Sequence, residues 1–134
     1  MSQRRASCTC GQLRVECKGE PIRISMCHCL ACQQRTGSVY GVQARFRRED
    51  ITLIEGRSTT FTRKGDESGN AAHFHFCPEC GSTVYYALSN DPDVIAITVG
   101  TFADPKFPAP VFSVWEERSH AWAVPRGTPM EHMD

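Results

Sequence analysis

The chain has 134 residues, and its 15 basic and 15 acidic side chains cancel. That balance gives no basis for general attraction to nucleic acid or to an anionic membrane, since both need a net positive field or a dense basic face. The length is that of one domain, residues 1–134, which buries roughly two-thirds of its unfolded surface and is small enough to gain from a staple among its eight cysteines.

The N-terminus, MSQRRAS, is polar and lacks the apolar core of a secretion signal, and no stretch approaches the ~18 apolar residues of a membrane span. A soluble, cytoplasmic protein is therefore expected, and a reducing compartment favours metal-bound thiolates over disulfides. After Cys8-Thr9-Cys10-Gly11, the alternation of Leu13, Val15 and Cys17 with Arg14, Glu16 and Lys18 predicts a half-buried strand, ended by Gly19-Glu20-Pro21. A second strand at 22–26 leads into Cys27-His28-Cys29-Leu30-Ala31-Cys32, where residues 31–35 could form one helical turn before Thr36-Gly37. The strand predicted at 39–46 runs into a basic cluster, Arg45, Arg47 and Arg48, read as a solvated strand end or turn because Glu49 and Asp50 follow directly.

Further strands are expected at 51–54, 58–62, 71–76, 83–87, 94–99 and 111–115. They are separated by Glu55-Gly56, Lys64-Gly65-Asp66, Asn90-Asp91-Pro92 and Asp104-Pro105. Pro105, Pro108 and Pro110 make 104–110 an ordered loop. Many short strands and no helical stripe predict an all-β fold, either a sandwich or a sheet folded over on itself.

Cys77-Pro78-Glu79-Cys80-Gly81 is the most specific motif. Two thiolates two residues apart, with Pro setting the turn and Gly permitting positive φ, grip one tetrahedral zinc from a tight knuckle. A knuckle supplies two ligands only. If Cys8 and Cys10 complete it, Cys27, Cys29 and Cys32 remain as three ligands around a second metal, the arrangement of a catalytic zinc with an exchangeable fourth position. Spacing alone also permits the knuckle to pair with two of the trio while Cys8 and Cys10 stay free. Cys17 continues the apolar face of its strand and reads as a small core residue.

These motifs, in this order, together with Val99-Gly100-Thr101-Phe102-Ala103-Asp104-Pro105 and the stretch from Val114-Trp115-Glu116 to Trp122, resemble the family of glutathione-dependent formaldehyde-activating enzymes and centromere protein V. The resemblance spans roughly residues 7–124. It implies a β-tent fold with two zinc ions, a structural one on Cys8, Cys10, Cys77 and Cys80 and a catalytic one on Cys27, Cys29 and Cys32. It also implies carbon–sulfur lyase chemistry, the reversible addition of a small thiol such as glutathione to an aldehyde such as formaldehyde. The expected partners are thus a small-molecule thiol and aldehyde, with no nucleic acid and no membrane, and the oligomeric state is left open.

Three thiolates leave a zinc site net negative before any substrate thiolate joins. Arg35, three residues past Cys32, is the candidate to offset that charge and hold the bound thiol, with solvent exposure as its alternative. His28, between two ligands, is expected to support the site without ligating. His73 and His75 are expected on an exposed strand face, and Trp115 and Trp122 in packing. No Ser-His-Asp pattern or glycine-rich phosphate loop is present. The competing reading is a noncatalytic zinc-stabilised interaction or scaffold module, and the three-cysteine cluster favours the enzyme, because a purely structural site would fill its fourth position with protein.

Overall fold

The computed structural model describes residues 3–65, 69–127 and 129–134. Asp66 of the expected Lys64-Gly65-Asp66 turn, and Met1 and Ser2 of the polar N-terminus, lie outside the described residues. The fold is all-β, as expected, and consists of two sheets. The smaller is antiparallel in the order β1 (Gln3–Ser7), β2 (Arg14–Lys18) and β5 (Ile51–Glu55). The larger has eight strands, beginning with β11 (Glu131–His132), β10 (Phe112–Val114), β3 (Arg23–Cys27) and β4 (Gly41–Arg47). It continues through β9 (Asp91–Thr98), β8 (Thr83–Leu88), β7 (Ala71–Phe76) and β6 (Thr59–Lys64). Pairing is antiparallel from β3 to β6, whereas β10 runs parallel to both β3 and β11.

The two-residue period decides which side chains meet between the sheets. Leu13, Val15 and Cys17 are fully buried and pack with Ala44 and Phe46 of β4, Val84 of β8 and Ile95 and Ile97 of β9. Cys17 is thus the apolar core thiol its strand pattern predicts. Ala72 and Phe74 of β7, Tyr86 of β8 and Ala96 of β9 form a second, smaller cluster on the far side of the large sheet. The only α-helix among the described residues, α1 (Leu30–Thr36), lies on that far side, with its Arg35 guanidinium 5.1 Å from the Phe74 ring centroid. The site is built there.

Three features depart from the sequence expectation. β1 is a strand although Ala6 is its only buried residue, because pairing with β2 satisfies its backbone. β11 is a two-residue parallel addition at the sheet edge, too short to have a pattern. Asp91 and Pro92 open β9 instead of sitting in the turn, which Ser89 and Asn90 make alone. Pro92 falls where the β8–β9 register shifts between Ala87 and Leu88 and beyond the stretch paired with β4, so its missing N–H removes no ladder bond. Among the described residues no helix is long and apolar enough to cross a membrane.

Candidate metal centres and the cavities beside them

Two groups of thiols converge, and they are the two groups that the favoured partition of the sequence predicts. The ligand atoms of Cys8, Cys10, Cys77 and Cys80 all lie within 4.8 Å of one another. Cys10 Sγ is 3.6 Å from both Cys8 Sγ and Cys77 Sγ. Four sulfurs about 2.3 Å from a tetrahedral zinc stand about 3.8 Å apart, so the spacing fits that ion. The alternative in which the knuckle pairs with two of the trio is therefore excluded.

Local backbone explains the convergence. The knuckle turn closes with Gly81 N–H donating to Cys77 O at 2.8 Å, and Gly81 has φ +82°, a conformation open to glycine without strain. Opposite it, Leu13 N–H points at Cys8 Sγ (3.3 Å), and Glu79 N–H at Cys77 Sγ (3.4 Å). Gln12, which the sequence reading did not single out, donates from Nε2 to Cys77 Sγ (2.9 Å) and to Arg57 O (2.8 Å), while its Oε1 accepts from Arg57 N–H. The Ser82 hydroxyl, with backbone N–H groups, holds the Cys80 thiol down at about 5. These donors favour thiolate, the form that binds metal.

Cys27, Cys29 and Cys32 also lie mutually within 4.8 Å, and among the described residues no fourth His, Cys, Asp or Glu joins them. Cys27 is the last residue of β3. Cys29 caps α1, its Sγ accepting from Cys32 N–H at 3.3 Å, and Gly37 ends the helix. Hydrogen bonds from Cys27 and Cys32 hold the Cys29 thiol far below its ordinary value, helped by the charge of Arg63. Cys27, hydrogen-bonded to Cys29 and Cys32 and buried, is pushed far up. Such a cluster keeps one negative charge readily, whereas three thiolates this close repel one another unless a cation lies among them. The donor set therefore fits zinc at this centre too.

His28 is 2 % exposed and lies outside the thiol group, as expected. Its Nε2 is 3.0 Å from Ser113 Oγ, Ser113 donates to Glu116 Oε2 at 2.7 Å, and the same oxygen meets His132 Nδ1 at 2.7 Å. Because Ser113 donates onward, it accepts from His28 Nε2–H, and burial keeps the imidazole neutral. The chain anchors the loop between Cys27 and Cys29 to β10. Gln33 braces α1 similarly, donating to His28 O (2.8 Å) and to Arg118 O (3.0 Å).

Arg35 is half-buried against the rings of Phe74 and Tyr86, and its Nε is buried without a partner among the described residues. This places it beside Cys32, not in open solvent. His73 and His75 are half-buried rather than exposed: His73 Nδ1 is 2.9 Å from Thr62 Oγ1, and His75 stacks on Tyr85 at 4.4 Å. Neither belongs to a thiol group. Trp122 is 75 % exposed, so it is not a packing residue; its ring meets the edge of His120 at 5.5 Å.

Two neighbouring cavities beside α1 border the three-cysteine group. The larger, about 650 Å³, is lined by Cys29, Arg45, Arg63, Asp91, Trp115 and Arg118 among others. The smaller, about 410 Å³, is lined by Cys32, Arg35, Phe61, Phe74 and Phe76, and the two share Ala31 and Arg63. Arg45 is thus not part of a solvated strand end. Because Ala44 and Phe46 face the core, Arg45 points to the α1 side, and only Arg47 and Arg48 are in solvent. Trp115 turns toward the cavity from a left-handed backbone (φ 56°), a costly conformation that the sequence does not announce. Arg63 and Arg118 come from separate elements, and neither carries a local signal.

A family model described as glutathione-dependent formaldehyde-activating enzyme matches residues 3–118. No curated protein matches the chain. A crystal structure of a Rhodobacter sphaeroides protein from structural genomics is similar in fold, with TM-score 0.57 and 19% identity over 78% of this chain and 90% of that one. With both thiol groups assembled as the motifs require and the family pattern running from β1 to the turn before Ser119, the chain belongs to the glutathione-dependent formaldehyde-activating enzyme family.

Proposed function

We propose that the chain is a zinc-dependent carbon–sulfur lyase that adds a small acidic thiol, of the glutathione type, reversibly to an aldehyde such as formaldehyde. The observation that carries this reading is the position of Cys29, a thiol of the three-cysteine group, in the wall of a cavity that also presents Arg45, Arg63 and Arg118. At about 650 Å³ it falls within the ~300–1,000 Å³ typical of small-molecule sites. Zinc held by Cys27, Cys29 and Cys32 supplies Lewis acidity that favours deprotonation of an incoming thiol.

The chain's own side chains supply the rest. Among the described residues neither Arg45 nor Arg63 is in an ion pair, and the Nε of Arg45 is buried without a partner. Both guanidiniums are free to grip a carboxylate in the bidentate manner that arginine favours. Arg118 is already paired with Glu117, and Asp91 is the one acidic residue in the wall, so positive charge predominates. Arg35, one turn along α1 from Ala31, offsets the negative charge of the thiolates. In the reaction the sulfur–carbon bond forms as the carbonyl π bond breaks, and the thiol proton ends on the former carbonyl oxygen.

The test is adduct formation from glutathione and formaldehyde, followed by exchange NMR with metal-analysed protein. Wild type accelerates the spontaneous reaction, Cys29→Ser does not, and Arg63→Gln raises KM for glutathione about tenfold while leaving an uncharged thiol such as 2-mercaptoethanol unaffected. Equal rates for wild type and Cys29→Ser would eliminate this assignment.

A further inference from the structure

We infer that the smaller cavity, on the Cys32 side of α1, receives an apolar, aromatic-sized substituent of the electrophile, so that the chain acts on aldehydes larger than formaldehyde. This rests on the thiol-addition reading and extends it to the second substrate.

Four observations carry the inference. Cys32 of the trio lines this cavity as Cys29 lines the arginine cavity, so the two cavities adjoin the same three-cysteine group at neighbouring positions along α1. Three rings stand in its wall, Phe61 from β6 and Phe74 and Phe76 from β7, beside the polar Gln34, Arg35 and Arg63. The period-two geometry of these paired strands aims all three at one face, because Phe61 pairs with Phe74 in register and Phe76 follows two residues on. Its volume of about 410 Å³ is far beyond what a one-carbon aldehyde fills, and a small polar guest would leave the rings wet. Finally, Phe61 is 58 % exposed on the edge strand of the sheet, so its ring is accessible to a guest in this cavity.

Continuity with the thiol cavity identifies the occupant. Ala31 and Arg63 belong to both walls, so a thiol gripped by the arginines on one side meets a carbonyl entering from the other beside the trio. The carbonyl oxygen gains negative charge as the sulfur–carbon bond forms. Arg35 is the donor positioned to receive that charge, while the phenyl-sized group rests against Phe61, Phe74 and Phe76. The thiol proton passes to that oxygen, and no oxidant or reductant is required.

The experiment compares formaldehyde with phenylacetaldehyde, each with glutathione and the metal-loaded protein, as the enzymatic rate divided by the spontaneous rate. Each buried methylene contributes about fourfold to binding, so the ring makes the enhancement for phenylacetaldehyde at least about tenfold the larger. Phe61→Asp, on an exposed side chain, lowers the ratio of the two enhancements by about tenfold, and saturation-transfer NMR with unreactive 2-phenylethanol shows contact with wild type but not with this variant. Acceleration of formaldehyde alone, or a ratio unchanged in Phe61→Asp, overturns the inference and leaves the thiol-addition reading standing. Acceleration of neither aldehyde overturns both.

Discussion

Replacing Cys77 by serine tests whether the knuckle centre holds the beginning and the middle of the chain together. Cys77 is fully buried, and its sulfur faces Gln12 Nε2 at 2.9 Å and Cys10 Sγ at 3.6 Å, a partner 67 positions away in sequence. In the chain-entropy treatment of cross-links, closing a loop of that length is worth about 4.4 kcal/mol. Closing the short span from Cys27 to Cys32 is worth only about 2 kcal/mol. Total stabilities are roughly 5–15 kcal/mol, so loss of the long link alone removes a large share. The assay is urea unfolding followed by circular dichroism, with metal content measured on the same samples. Cys77→Ser is expected to lose one metal equivalent and at least about 4 kcal/mol, or to fail to fold. Cys29→Ser should lose one equivalent and no more than about 2 kcal/mol. A Cys77→Ser protein with the wild-type metal content and unfolding free energy would refute the assignment of this centre as structural.

Two further outcomes follow from particular residues. Gly56 has φ +101°, and a Cβ there would stand 1.9 Å from the backbone oxygen of Gln12, so Gly56→Ala should lower unfolding free energy by at least about 2 kcal/mol. Gly100→Ala, where an added Cβ meets nothing within 4 Å, should cost under about 1 kcal/mol, and equal losses in the two would refute the steric argument. Cys17 concerns pH. Burial raises its thiol from 9.0 to about 11, so the folded chain keeps the proton after the unfolded chain has lost it. The associated stability is fully present below pH 9 and is lost as pH rises through about 11, an effect of up to about 2–3 kcal/mol. In Cys17→Ala the decline in unfolding free energy between those pH values should flatten by that amount, and an unchanged slope would show that Cys17 is not responsible.

Short-range patterns made most of the strands legible. Leu13, Val15 and Cys17 declare the buried face of β2 by alternation, and Gly81 declares the end of the knuckle turn by its freedom to take positive φ. Metal chemistry made the thiol groups legible, because ligand number constrains partners far apart in sequence: with the knuckle contributing two, Cys8 and Cys10 were the pair that left a coherent remainder. The cavities were not legible. Arg45, Arg63 and Arg118 come from three different elements and Trp115 from the turn before the last of them, and none carries a local sequence signal. Alternation says only that Arg45 faces away from Ala44 and Phe46, not that a helix covers that other side. Gln12 escaped notice for a related reason: its role depends on Arg57 and Cys77, which reach it only in three dimensions.

A helix of seven residues is too short to persist on its own, and α1 buries none of its side chains fully. Its tilt is instead dictated by Gln33, which reaches across 85 positions to the carbonyl of Arg118, while His120 grips the same amide. Two of the three clustered sulfurs, Cys29 and Cys32, ride on this helix, and so their separation from Cys27 is governed from the far end of the polypeptide. A change in the backbone path at 118–120 or in the His120 side chain therefore moves this centre while every cysteine stays in place.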